Sequence, residues 1–257
     1  MDFYIHSDRY FLKEREDRSF FIMALATNQP ISLDSSLHPL LHAADKWVNF
    51  ESFVQLMQIA SFLQPNFNAM MEDAVLSMHA AGIADIKNMP SFGGNGIRWA
   101  SLRDYYAVSD FTSENYNRGL SCTVAFGKPY FSYRVVYDAI KSGEKYMLLK
   151  EHDGQILAAA IFGFSSRFFG SRVFELKSFV FGGERDAQVC REDVSELVAY
   201  ARESLKGKTR KLRYEYINQR QSFIADALKS AGFGETARFQ GELKNGADLV
   251  LLDLPVE

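Results

Sequence analysis

The chain has 257 residues, room for one large domain or two small ones, and its 47% hydrophobic and 24% charged content suits a soluble protein with a well-formed core. The formal net charge is −3, and residues 1–90 set six Lys and Arg against eleven Asp and Glu, an acidic surface unsuited to the phosphate neutralisation on which nucleic-acid binding rests. The start, MDFYIHSDRY, lacks the basic and apolar regions of a secretory signal, and the apolar run ILAAAIFGF at 156–164 is about half the length that a membrane helix needs.

DFYIHSDRYFLKE and RSFFIMALATNQPISL are rich in β-favouring residues and flank a charged turn, Glu14 to Arg18. SSLHPLLHAADKW suits a short helix with Pro39 in its first turn, where a missing N–H costs nothing. A helix is expected from Asn49, a capping residue, with Phe50, Phe53, Val54, Met57 and Ile59 as its apolar stripe. Another carries Phe67, Met70, Met71, Ala74, Val75 and Met78 and stops at Gly82, before a short strand, IADIK. MPSFGGNG, residues 89–96, reads as the linker between a domain of residues 1–88 and one of residues 97–257.

The second domain opens with a strand that runs into a helix capped by Ser101. Residues 144–181 read as three strands, the first turn marked by Asp153-Gly154. A helix over REDVSELVAYARESL, a strand over KLRYEYIN and a helix over QSFIADALKSAG follow. The last strand pair, 236–254, is divided at Asn245-Gly246.

Other chemistries lack their residue patterns. The histidines His6, His38, His42, His79 and His152 have no metal spacing with carboxylates or cysteines, so no metal is expected. No nucleophile elbow, Walker loop or dinucleotide fingerprint is present. Cys122 and Cys190 read as reduced thiols of a cytoplasmic protein.

Taken together, the order strand, helix, three-strand meander, helix, strand, helix, Gly232-Phe233, strand pair resembles the GCN5-related N-acetyltransferase (GNAT) superfamily. The resemblance implies a mixed α/β sheet whose fourth and fifth strands splay apart. An acyl-pantetheine arm then lies in the gap, paired with main-chain groups of the fourth strand, here Phe179, Val180 and Phe181. It implies acetyl-CoA or a longer acyl-CoA as co-substrate, with an acyl-carrier protein as the other candidate donor. The family's pyrophosphate loop falls on RDAQVC, where Arg185 matches but Gln188 and Cys190 stand at small-residue positions. The position of the family's tyrosine acid is Leu228. Tyr214 or Tyr216 could supply a phenol instead, only one of them being expected to face the cleft. Glu175, mid-strand, and Glu215 are the candidate bases; a plain Glu175–Lys177 neighbour pair is the rival reading of the former. Asn218 suits either a contact with the pantetheine amides or a helix cap.

The first domain has a winged-helix order and resembles PqqD-like modules that recognise leader peptides of ribosomally made precursor peptides, on its aromatic strands, NQPISLDSSLHPLL and HAAGIADI. That resemblance implies a precursor peptide docked as an added strand near Phe20, Phe21, Ile22 and Met23, beside a groove near Phe67, Met71 and Val75. The expected activity is N-acyl transfer from a thioester to an amine on that peptide. Two alternatives are a non-catalytic peptide-binding protein with a degenerate GNAT domain, and a small-molecule N-acetyltransferase with an N-terminal oligomerisation domain. A homodimer is compatible with each.

Overall fold

The computed structural model describes residues 1–14, 20–28, 30–60, 66–88, 94–116, 131–164, 172–217, 222–241 and 246–256. The chain divides into two compact units, Met1–Ser91 and Phe92–Glu257.

In the first unit, β1 (Asp2–Ile5) lies between β5 (Trp47–Asn49) and β6 (Ala84–Lys87), and β3 (Phe20–Ala24) lies between β2 (Tyr10–Glu14) and β4 (Pro30–Leu33). All four pairings are antiparallel. Two helices, α1 (Phe50–Ala60) and α2 (Phe67–Ala80), complete the unit. Strand alternation turns Phe3, Ile5, Phe20 and Ile22 inward, where they meet Leu40, Met71 and Val75 in one core. Asn49 caps α1 by accepting the amide of Ser52 at 3.1 Å. Gly82, at φ +77°, ends α2 in the left-handed conformation that glycine adopts without strain.

Two expectations for this unit change. Ser35–Ala43 forms a 3-10 segment rather than an α-helix, with Pro39 in its interior. Proline there removes a donor that a longer helix would need, and Asp34 caps the segment through the amide of Ser36. The residues Phe20 to Met23 form no free edge, because β2 and β4 fill both sides of β3. Phe67, Met71 and Val75, expected near a groove, are buried in the core.

The second unit is built on one sheet of seven strands: β7 (Gly96–Trp99), β8 (Lys145–His152), β9 (Gln155–Phe164), β10 (Val173–Phe181), β11 (Lys211–Ile217), β12 (Gly234–Phe239) and β13 (Leu249–Pro255), in the order β12-β13-β11-β10-β9-β8-β7. Every neighbouring pair is antiparallel except β10 and β11, which run parallel. Parallel neighbours need a crossover, and α5 (Ala187–Ser204) supplies it. The tight β8–β9 turn places Asp153 at φ +48° and Gly154 at φ +77°, the two positive values of a type I′ hairpin.

Both faces of the central strands are buried, which is why they read as apolar runs rather than as an alternation. On one face Leu148, Ala158, Ala160, Phe162, Phe174 and Leu176 pack with α5 and α6 (Ser222–Ser230). The alternate residues Met147, Leu149, Ala159, Ile161 and Val180 are buried too. Two further helices, α3 (Tyr105–Asn115) and α4 (Tyr133–Lys141), pack against β8, β9 and β10. After α6, Gly232 adopts φ +98° and the amide of Phe233 bonds back to the Leu228 carbonyl at 3.0 Å. This closes the helix and tucks Phe233 into the core.

Candidate functional site

The wedge between β10 and β11 is the feature that sets this sheet apart. Their parallel register runs from Val173 opposite Lys211 to Leu176 opposite Tyr214 and ends there. Both strands continue, β10 to Phe181 along β9 and β11 to Ile217 along β13. The facing edges of 178–181 and 215–217 therefore have no mutual pairing.

The cause lies in β10. Its register against β9 slips between Leu176 and Ser178, so Lys177 is an extra residue, a β-bulge. A bulge adds twist and breaks the ladder locally, and it stands where pairing with β11 stops. It also shifts the phase of the strand. Phe174 and Leu176 enter the helix-covered core before it, and Phe179 and Phe181 enter the same core after it. The aromatics of the expected contact segment are thus anchors: Phe179 and Phe181 stack at 6.1 Å with planes 10° apart. What they present to the wedge is main chain.

The apex of the wedge is charged on one face. Glu175, only 5% exposed, is ion-paired with Lys177 and stands opposite Arg213. Glu215 follows the last paired residue of β11. Arg213 bonds to Asp253 of β13 through Nε at 2.7 Å and Nη2 at 3.0 Å, and Lys211 pairs with the same carboxylate. Burial pushes the Asp253 carboxyl up, but these two cations outweigh it and hold the group below its usual range. The Asp253 hydrogen bond in turn raises the Arg213 guanidinium.

Tyr214 and Tyr216 lie on the other face. They are two residues apart, so alternation gives them a common side rather than sending one to the cleft, contrary to the expectation. Both are buried among α5 and α6 residues and stack at 6.3 Å. Leu228 is fully buried in that core.

The turn after β10 leads to the N-terminus of α5. Gly182 is pinned by its amide bond to the Leu157 carbonyl at 2.9 Å, and a Cβ there would meet Phe111 at 2.8 Å. Arg185 does not point free. It donates to the Leu157 carbonyl at 3.3 Å and is ion-paired with Asp193, a carboxylate 1% exposed that also holds Lys150 at 2.8 Å. Asp186 caps α5 by accepting the amide of Val189 at 2.9 Å, and exposed Gln188 donates to Glu192 at 3.0 Å. The helix end that would attract a pyrophosphate is thus already served by its own carboxylate. The strand edge suits an amide-bearing arm, while these side chains are committed elsewhere. Asn218 lies outside the described residues. Among the described residues no group of His, Cys, Asp and Glu could hold a metal, and no helix is long and apolar enough to cross a membrane.

The Glu175–Lys177 pair, the rival reading of Glu175, is present, whereas the bulge at Lys177 and the parts played by Arg213, Asp253 and Asp193 were not foreseen. One signal was present: in VFELKSFVF the apolar phase set by Phe174 and Leu176 slips by one at Phe179 and Phe181, as a bulge requires.

No family model matches the chain, and no curated protein matches it either. Among solved structures, it is similar to a protein of the GNAT family from Desulfovibrio desulfuricans, with 16% identity over 63% of this chain and 98% of that one, at a TM-score of 0.49. Similarity to ribosomal-protein-S5-alanine acetyltransferase from Vibrio fischeri gives 13% identity, 63% and 92% coverage and a TM-score of 0.48. The Salmonella typhimurium protein yncA, solved with its cofactor acetyl-CoA, gives 20%, 64%, 95% and 0.47.

Proposed function

We propose that the second unit is an N-acyltransferase that uses an acyl-CoA and acts on an amine, and that the first unit docks the acceptor as part of a precursor peptide. The observation that carries the first half is the wedge of β10 and β11. An opened strand edge with its side chains anchored behind it offers main-chain donors and acceptors to an extended arm that carries amides. A thioester laid along Phe179, Val180 and Phe181 would bring its carbonyl carbon to the bulge. The amine nitrogen attacks that carbon, the C–S bond breaks, and the sulfur leaves as thiolate while the nitrogen loses a proton. Glu215, at the apex, and Glu175, one step behind it, are the candidate carboxylates for that proton. A strand N–H would polarise the carbonyl. The buried phenols of Tyr214 and Tyr216 are poorer candidates for the acid, since both serve the core.

The acceptor half rests on β2, which has no strand on its outer side among the described residues and carries exposed Phe11 and Leu12. Edge strands with exposed apolar side chains are templates for an added strand. The other edge, β4, begins with Pro30, which has no N–H to offer. The acidic balance of residues 1–90 favours a peptide with basic residues, and the site of action on this reading is the cytoplasm.

A second reading of the donor has its own support. Arg185, Gln188 and the α5 cap are all engaged within the chain, so a donor held by its pantetheine arm, on an acyl-carrier protein, needs less of them than a nucleotide does. Thermal stability in the presence of acetyl-CoA, octanoyl-CoA and octanoyl-phosphopantetheine tests both. A rise with either CoA ester, followed by thiol release on adding an amine peptide, supports the enzyme. Equal affinity for the ester lacking the nucleotide selects the carrier donor. No shift with any of the three overturns the acyltransferase reading and leaves a peptide-binding protein.

A further inference from the structure

The end of the sheet opposite the wedge holds a site that acyl transfer does not use. Trp99, Tyr146, Phe164 and Phe174 converge there, with Phe174 at 5.3 Å from Tyr146, 5.1 Å from Phe164 and 6.3 Å from Trp99. They line a pocket of about 350 Å³ whose remaining wall comes from the end of α5 and the turn after it, including Lys208 and Thr209. Phe164 and Tyr146 stay 52% and 38% exposed, an uncommon state for rings so near a core.

The neighbouring residues are cationic. Arg210 donates its amide to the Arg172 carbonyl at 2.9 Å, which sets the two arginines side by side on adjacent strand ends. Thr209, which lines the aromatic pocket, donates its hydroxyl to the Arg172 carbonyl, and Arg210 follows it in the chain, so both arginines stand beside the pocket. They line an adjoining cleft with Val173 and Lys211. Among the described residues Arg172, Arg210 and Lys208 have no acidic partner, whereas Lys211 is neutralised by Asp253. Like charges on neighbouring strand positions repel. An anion between them reverses that sign, and two guanidinium groups match the two oxygens of a carboxylate.

We propose that this end of the second unit binds a small aromatic carboxylate, its ring among Trp99, Tyr146, Phe164 and Phe174 and its carboxylate against Arg172 and Arg210. The volume suits a ring with a short chain, within the usual size of small-molecule sites. Aromatic walls in edge-on arrangement leave ring faces for an inserted ring.

Trp99 makes the test direct, since the chain has 2 tryptophans and exposed Trp47 can be replaced in a Trp47→Phe background of the full chain. Fluorescence is titrated with 3-phenylpropionate, 3-phenylpropanol and acetate. The acid is expected to change Trp99 emission saturably, and at least about tenfold more tightly than the alcohol or acetate. Arg172→Ala with Arg210→Ala, both surface changes, should weaken the acid about tenfold and leave the alcohol unchanged. Absence of saturation up to about 10 mM, equal binding of acid and alcohol, or undiminished binding by the double variant would each overturn the site. Circular dichroism of the variant shows whether it is folded.

Discussion

Asp193 has little solvent of its own and two cations to satisfy. Its replacement by alanine strands Arg185 and Lys150 next to a cavity, and breaking a buried ion pair of this kind costs about 3 kcal/mol. Urea unfolding of Asp193→Ala should show that loss, whereas exposed Gln188→Ala should stay within about 0.5 kcal/mol of the parent. The second case at this scale is Arg98, which bonds to Asp104 at 2.8 Å through both terminal nitrogens and to Glu151 at 2.9 Å and 2.8 Å. Burial raises the Asp104 carboxyl, and Arg98 and Ser101 more than reverse this, so the folded value lies below the ordinary 3.8. The unfolded chain then takes up protons first. The contribution is complete above 3.8 and fades as pH falls from there through the depressed folded value. Stability measured from pH 5 down to about pH 2.5 should therefore fall less steeply for Asp104→Asn than for the parent. The ends of helices and turns were legible at this scale: Asp153-Gly154, Gly82 and Gly232 each sit at the positive φ their sequence context called for. Of the ion pairs, the neighbours Glu175 and Lys177 were legible and the distant partners were not. Asp193 and Arg185 are eight residues apart and their pairing depends on the first turns of α5, while Lys150 comes from another strand.

At the scale of elements, the bulge makes a sharp distinction between changing Lys177 and removing it. Lys177→Ala keeps the extra residue and forfeits only the contact with Glu175. Deleting Lys177 restores an unbroken ladder and turns Phe179 and Phe181 out of the core, since a one-residue slip exchanges the faces of a strand. The substitution should retain donor binding, and the deletion should abolish it with a loss of at least about 3 kcal/mol. Donor binding that survives the deletion would show that the wedge is not the site. The order of strands in the second unit was readable, because each apolar run is bounded by glycine or charge, whereas α4 was not, since Tyr133 and Tyr137 suit a strand as well as a helix. The 3-10 form of Ser35–Ala43 and the interior place of β3 were not, because Pro39 and the pairing on either side of a strand act through tertiary context.

At the scale of the whole molecule, each unit has its own core, one around Phe3, Leu40 and Met71 and the other around Phe162, Leu197 and Tyr214. Residues 92–257 produced alone should fold and keep a donor affinity within about twofold of the full chain. Their KM for a docked peptide should rise by about 100-fold, since the tether's local concentration is lost. An unchanged KM would separate the first unit from substrate recognition. A linker is legible in composition, in the proline and glycines of 89–96. The partners of each part are not, because docking edges and pockets are made by strands distant in sequence.

Cys190 lies on α5 with no exposed surface, and burial followed by the charge of Asp193 pushes its thiol up. A sealed thiol reacts only when the helix lifts from the sheet, so the rate of its modification is a clock for local opening. In a Cys122→Ser background, a disulfide reagent should label Cys190 slowly. Asp193→Ala should accelerate that labelling by the same free energy that unfolding records if α5 opens only with the whole unit, and by more if the helix breathes alone.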